Sequence, residues 1–169
     1  MSKVNSEKLN FILEATKSYK HNGKDFFDHL LRTSGIVEKL CQQIGIEDSE
    51  YLVDAALFHS IYGTDYYEFN EQITREKVIS LIGEKAEKLV HFFCSLTDRN
   101  IQILQHKFES SLQRDLYILE YANLIELSVA DVQKTSALNP SKIFRLKLLR
   151  ANLIDHYKFD MPPLPFSFA

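Results

Sequence analysis

The chain has little of what punctuates or staples a fold: no tryptophan, two cysteines, five glycines and four prolines in 169 residues. Three of those prolines fall in the last eight residues, so the short strands and frequent turns of an all-β domain find no support. Cys41 and Cys94 have no CxxC spacing, which excludes a zinc ribbon and leaves free thiols in a reducing compartment as the expectation. A charge excess of either sign is also missing, with 20 Lys+Arg against 23 Asp+Glu and a net charge of −3. Without a basic block there is no field to draw in phosphate backbones, so no nucleic-acid partner is expected. Long apolar runs are absent too. The stretch from Leu89 to Leu96 is interrupted by His91, and the opening MSKVNSEKLN carries no apolar leader, so a cytoplasmic protein without a membrane span is expected.

What is present is helical periodicity. Phe26, Leu30, Thr33, Val37, Leu40 and Ile44 recur at three- and four-residue steps, and Gly45 follows as a stop. Further helices are expected from about Asp48 to His59, from Arg75 to Ile82 with Gly83 as its end, and from Glu84 to Leu96. The segment Leu112 to Gln133 is the longest periodic run. Asn139-Pro140 then supplies a cap and a first-turn proline for a last helix reaching Tyr157. The expected fold is all-α: a single compact domain of about seven or eight helices over residues 1–160, with 161–169 as a proline-rich C-terminal tail packed on the body. A chain of this length buries roughly 68–70% of its unfolded surface, enough for one core without a metal.

The functional signal lies in polar residues whose helical phase places them among leucines, because burying a polar group is costly unless it finds a partner. His29 sits beside Thr33, Ile36 and Leu40, with Asp25 one turn earlier. His59 shares a face with Leu52, Ala55 and Ala56. Asn123 falls within the stripe of Leu112, Leu116, Leu119, Leu127 and Ala130, with Glu126 one turn on. Two imidazoles, an amide and a carboxylate from three helices can converge on one pocket. The remaining histidines, His21, His91, His106 and His156, show no ligand spacing and read as surface or packing residues.

Three stretches carry a resemblance: Asp28-His29-Leu-Leu, Asp54-Ala-Ala-Leu-Phe-His59-Ser60-Ile-Tyr62-Gly63-Thr64, and Tyr121-Ala122-Asn123-Leu. Between about His21 and Ala130 the chain resembles the HD-domain superfamily, in particular the helical hydrolase domain of (p)ppGpp synthetase/hydrolases. It is also similar to an uncharacterised group of small HD-like domains carrying the same His-Ser substitution. The resemblance implies an HD-like helical fold and makes His29 and His59 the counterparts of metal-binding histidines. Ser60 stands where the superfamily has the Asp of its His-Asp pair, Asn123 where it has the distant Asp, and Tyr62-Gly63 replaces a downstream acidic pair. Those changes remove the negative charge that holds Mn²⁺ or Mg²⁺.

The reading preferred from the sequence is a degenerate HD-like domain, metal-free and without a cofactor. Its polar pocket of His29, His59, Ser60, Tyr62, Asn123 and Glu126 would bind a small molecule, a nucleotide or phosphorylated metabolite. Lys24, Arg32 and Arg99 are the candidate anion contacts. One alternative is a metal-dependent phosphohydrolase in which His29, His59, Glu126 and Asn123 hold Fe, Zn or Ni. A second is an interaction scaffold anchored on the aromatic cluster Tyr62, Tyr66, Tyr67 and Phe69.

Overall fold

The computed structural model describes residues 6–17, 20–21, 24–63 and 73–166; for 20, 21, 24 and 25 the description covers the backbone alone. The described residues form seven helices: α1 (Ser6–Thr16), α2 (Phe26–Ile44), α3 (Glu50–Phe58), α4 (Arg75–Ser95), α5 (Arg99–Leu104), α6 (Ser110–Thr135) and α7 (Pro140–Tyr157). The all-α expectation holds, with one small addition. Two-residue strands β1 (Lys20–His21) and β2 (Lys24–Asp25) pair antiparallel, Lys20 opposite Asp25, just before α2.

The core is built around two helices buried on nearly every side. In α3 every residue from Tyr51 to Phe58 is buried. Such all-round burial marks a helix sandwiched between others rather than lying on a surface. The middle of α6, from Asp115 to Asn123 and on to Leu124, is buried in the same way. Helix α2 presents its stripe of Phe26, Leu30, Thr33, Val37 and Leu40 to both of them. Helix α4 covers α3 from the other side, and α7 closes α6.

Local chemistry sets the helix ends. Gly45 takes φ +76° after α2, a conformation glycine adopts without strain. Asn139 Oδ1 accepts from the backbone N–H groups of Ser141 and Lys142, with Pro140 in the first turn of α7. Thr74 Oγ1 caps α4 by accepting from Lys77 N at 3.3 Å. Gly83, expected as a helix end, interrupts α4 with φ 78° and ψ 162°, so two straight segments meet there at a kink. Helices α1 and α5 were not delimited by periodicity. α1 carries one fully buried apolar residue, Ile12, and α5 is one and a half turns long, too short for a stripe.

The chain after α7 packs on the body as far as it is described. Met161 is buried, and Arg150 donates from Nη2 to Met161 O (2.8 Å) and from Nε to Pro162 O (3.0 Å). Leu164 and Phe166 are partly buried against the core; Phe168 lies outside the described residues. Among the described residues, no helix is long and apolar enough to cross a membrane.

Candidate functional site

Helices α2, α3 and α6 bring His29, His59 and Glu126 into direct contact. His29 is one turn into α2, His59 is the C-terminal cap of α3, and Glu126 lies in the second half of α6. All three are buried, at 3%, 1% and 4% exposure, so their polar atoms need partners within the protein. His29 Nδ1 lies 2.6 Å from Glu126 Oε2, and His59 Nδ1 lies 2.7 Å from the Ala56 carbonyl oxygen. The two Nε2 atoms face each other at 3.3 Å. Thr33 Oγ1 bonds back to His29 O at 2.9 Å, and Cys94 Sγ donates to His59 O at 3.2 Å, fixing the backbone beneath each ring.

The partners assign the tautomers. A backbone carbonyl can only accept, so His59 carries a proton on Nδ1. Burial acts to raise the Glu126 carboxyl, but the hydrogen bond and charge of His29 and those of Arg32 outweigh it and hold the group below the ordinary carboxylate range. An ionised Glu126 also only accepts, so His29 Nδ1 carries a proton too. Arg32 donates from Nε to the second carboxylate oxygen, Oε1, at 2.9 Å, while its side chain stays 41% exposed. Glu126 is therefore consumed on both oxygens. It orients His29, whose Nε2 faces that of His59.

Asn123 lies one helical turn before Glu126 and belongs to a neighbouring polar group. Its Nδ2 donates to Glu120 Oε2 at 3.3 Å. Burial raises the Glu120 carboxyl, with the Arg99 charge and the Asn123 bond opposing it. Arg99 Nε is 3.7 Å from the same Glu120 oxygen, and its guanidinium lies 4.1 Å over the Phe93 ring. Phe93 in turn meets His59 edge-on, with ring centroids 5.9 Å apart. The contacts thus run from Asn123 through Glu120, Arg99 and Phe93 to His59. Arg99 Nε is buried without a hydrogen-bond partner among the described residues. Glu120 was missed from the sequence although its spacing of three from Asn123 puts both on one face.

Ser60 follows His59 and is buried at 4% exposure. Tyr62 departs from the expected pocket. Its hydroxyl donates to Glu87 Oε1 at 2.9 Å, where Arg75 also binds both Glu87 oxygens at 2.7 Å, and its ring meets His91 edge-on. The hydrogen bonds of Arg75, against burial, hold the Glu87 carboxyl below its ordinary range. The side chains of Lys24 and Asp25, and all of Tyr66, Tyr67 and Phe69, lie outside the described residues. His106 and His156, read as packing residues, do pack, and on each other: their rings stack with centroids 4.3 Å apart.

The donor set does not fit the hard cation that the superfamily resemblance implies. Ser60 and Asn123 offer neutral oxygens, the Glu126 carboxylate is bound to His29 and Arg32, and Glu120 is paired with Asn123. Among the described residues, no three His, Cys, Asp or Glu side chains are grouped to hold an ion. A hard divalent ion takes most of its binding from charged oxygens.

Beyond Glu126, a cavity of about 370 Å³ opens between α2 and α6, lined by Arg32, Gly35, Ile36, Lys39, Glu126 and Val129. A Cβ added at Gly35 would have nothing within 4 Å, so the missing side chain leaves room there.

The fold and site define an all-α domain with a buried imidazole pair tied to one carboxylate. Residues 12–99 match the family described as Domain of unknown function (DUF6817), slightly more than half of the chain, and the chain belongs to that family. The matched stretch contains His29, His59, Ser60, Tyr62 and Arg99, whereas Asn123 and Glu126 lie beyond it. No curated protein and no solved structure matches the chain.

Proposed function

We propose that this chain is a divergent HD-like domain that binds a small anionic molecule, a nucleotide or phosphorylated metabolite, in the cavity between α2 and α6. The observation that carries the reading is Glu126. Its two oxygens are taken by His29 and Arg32, and its side chain also lines the cavity. In this reading a proton bridges the two Nε2 atoms: His29 donates to Glu126 and to His59, and His59 donates to Ala56. Every ring nitrogen is then satisfied without a metal ion. Beyond its bond to Glu126, Arg32 keeps Nη2 for an anion while Nη1 lies 3.9 Å from Asp28 Oδ2, and Lys39 supplies a second positive charge at the cavity wall. The volume lies within the range of small-molecule sites, about 300–1,000 Å³.

Thermal shift against nucleotides and phosphorylated metabolites tests this. A ligand at about 100 times its dissociation constant adds about 2.7 kcal/mol. For a domain of this size that is a rise of about 5–10 °C. The rise is expected to vanish in Lys39→Glu, which reverses a wall charge, and in Gly35→Leu, which fills the cavity. A wide panel without any shift, or a shift that both variants retain, contradicts the proposal.

One observation favours a second reading. The 3.3 Å between the two Nε2 atoms is also what two imidazoles span on one tetrahedral ion with bonds of about 2.0–2.1 Å. Both Nδ1 groups already donate to oxygen acceptors, as metal-bound histidines usually do. His29 and His59 would then hold Fe, Zn or Ni, with neutral oxygens or water completing the shell, and the ion would polarise a bound water. The two readings part on metal content.

A further inference from the structure

A second cavity, of about 550 Å³ and sharing no lining residue with the first, lies between the start of α3, the second segment of α4 and the start of α6. Tyr51, Leu89, Phe92 and Leu112 give it an apolar floor, and Lys85 and Lys88 stand at its wall. Positions 85, 88, 89 and 92 follow the three- and four-residue steps of a buried helical stripe, so α4 turns one face to the cavity and puts lysines at two places on it.

The charges there are not balanced. Of the two carboxylates in the lining, Glu109 caps α6, accepting from Ser111 N at 3.0 Å and Leu112 N at 3.2 Å. Asp115 accepts from Tyr51 at 2.7 Å and from Arg114 at 2.7 Å. Both are therefore committed to donors inside the protein. The lysines are engaged weakly or not at all. Lys85 Nζ lies 3.5 Å from the centroid of the Tyr51 ring and 3.8 Å from an Asp48 carboxylate that is itself 92% exposed. Lys88 has no ion pair or hydrogen bond among the described residues. Arg75, also in the lining, is bound to Glu87, so an apolar recess of ligand size with committed anions and two exposed lysines selects molecules having a flat apolar body and a negative head.

We propose that this recess is a binding site for a small amphipathic anion, its aromatic or acyl body on Tyr51, Leu89, Phe92 and Leu112 and its phosphate, sulfonate or carboxylate head between Lys85 and Lys88. It is independent of the cavity at Glu126.

Anilinonaphthalene sulfonate, an aromatic body with one anionic head, is a suitable probe for the native full chain. Saturable binding of one equivalent is expected, measured by fluorescence at low salt and by calorimetry. The double variant Lys85→Ala/Lys88→Ala is expected to weaken it roughly tenfold, since each exposed charge contributes up to about fivefold. Lys39→Glu, at the other cavity, is expected to leave it unchanged. The uncharged phenylnaphthylamine is expected to bind more weakly than the sulfonate and to be indifferent to the lysine substitutions. Circular dichroism and melting temperature verify that the variants fold, as substitution of two exposed lysines permits. Absence of saturable binding, equal affinity in the double variant, or equal loss in Lys39→Glu overturns the proposal.

Discussion

Replacing Glu126 by glutamine keeps the shape of the side chain and removes its charge. The carboxylate accepts from His29 Nδ1 at 2.6 Å and from Arg32 Nε at 2.9 Å, and the amide can accept only one of these. The other donor then faces an NH₂ group. A hydrogen bond to a charged group contributes about 1.5–3 kcal/mol. The His29 bond is buried and retains that value, whereas the half-exposed Arg32 adds no more than about 1 kcal/mol. Glu126→Gln is therefore expected to lower stability by about 1–3 kcal/mol at pH 7, depending on which bond the amide keeps, read from urea unfolding followed by circular dichroism. The pH dependence has a defined sign. Because the folded protein holds this carboxyl below its ordinary value, its contribution is fully present above the unfolded pKa of about 4.3 and fades as pH falls through the folded value. The gap between wild type and variant should thus be constant near neutrality and narrow in the acid limb. A loss under about 0.5 kcal/mol, or a gap that persists undiminished into acid, would refute the assignment of Glu126 as the charged partner of His29.

Gly83→Ala is expected to cost about 1–3 kcal/mol in denaturant unfolding, through its φ 78°, ψ 162° backbone rather than through a clash, since a Cβ there meets nothing within 4 Å. Asn139→Ala removes the acceptor that caps α7 and should cost about 1 kcal/mol in the same assay. Burial pushes the Cys41 and Cys94 thiols up to about 11, so a disulfide reagent at pH 8 should label the native protein far more slowly than the unfolded chain; rapid native labelling contradicts this. If the proposed HD-like reading holds, Ser60→Asp combined with Asn123→Asp supplies carboxylates at its two anionic positions and is expected to create measurable Mn²⁺ affinity by calorimetry, and no heat of binding counts against a shared site.

Much of the fold was legible because its signals are local. The Phe26 to Leu40 stripe, the Asn139-Pro140 cap and the glycines at 45 and 83 each act within a few residues, and each marks what it predicted. The site was legible in part. Helical phase identified His29, His59, Asn123 and Glu126 as polar residues on buried faces, and all four are buried. Phase cannot say which partner a side chain finds across the core. Glu126 was read as a pocket residue, and as a metal ligand only in the alternative reading; its bonds to His29 and to Arg32, 94 residues away in the chain, were not legible. Tyr62, near His59 in sequence, is drawn off by Glu87 and Arg75, because a buried carboxylate collects the donors within reach. The stacking of His106 on His156 depends on how α7 returns past the end of α5, which no spacing encodes.

The central claim is that a proton, rather than a metal ion, links His29 to His59. Elemental analysis of the purified full chain, expressed with Fe, Zn and Ni supplied and without chelator, tests it most directly, with His29→Ala and His59→Ala alongside. The account predicts well under one tenth of an equivalent of any transition metal in the wild type and no difference in either variant. One equivalent of Fe, Zn or Ni in the wild type, lost in both variants, would contradict it.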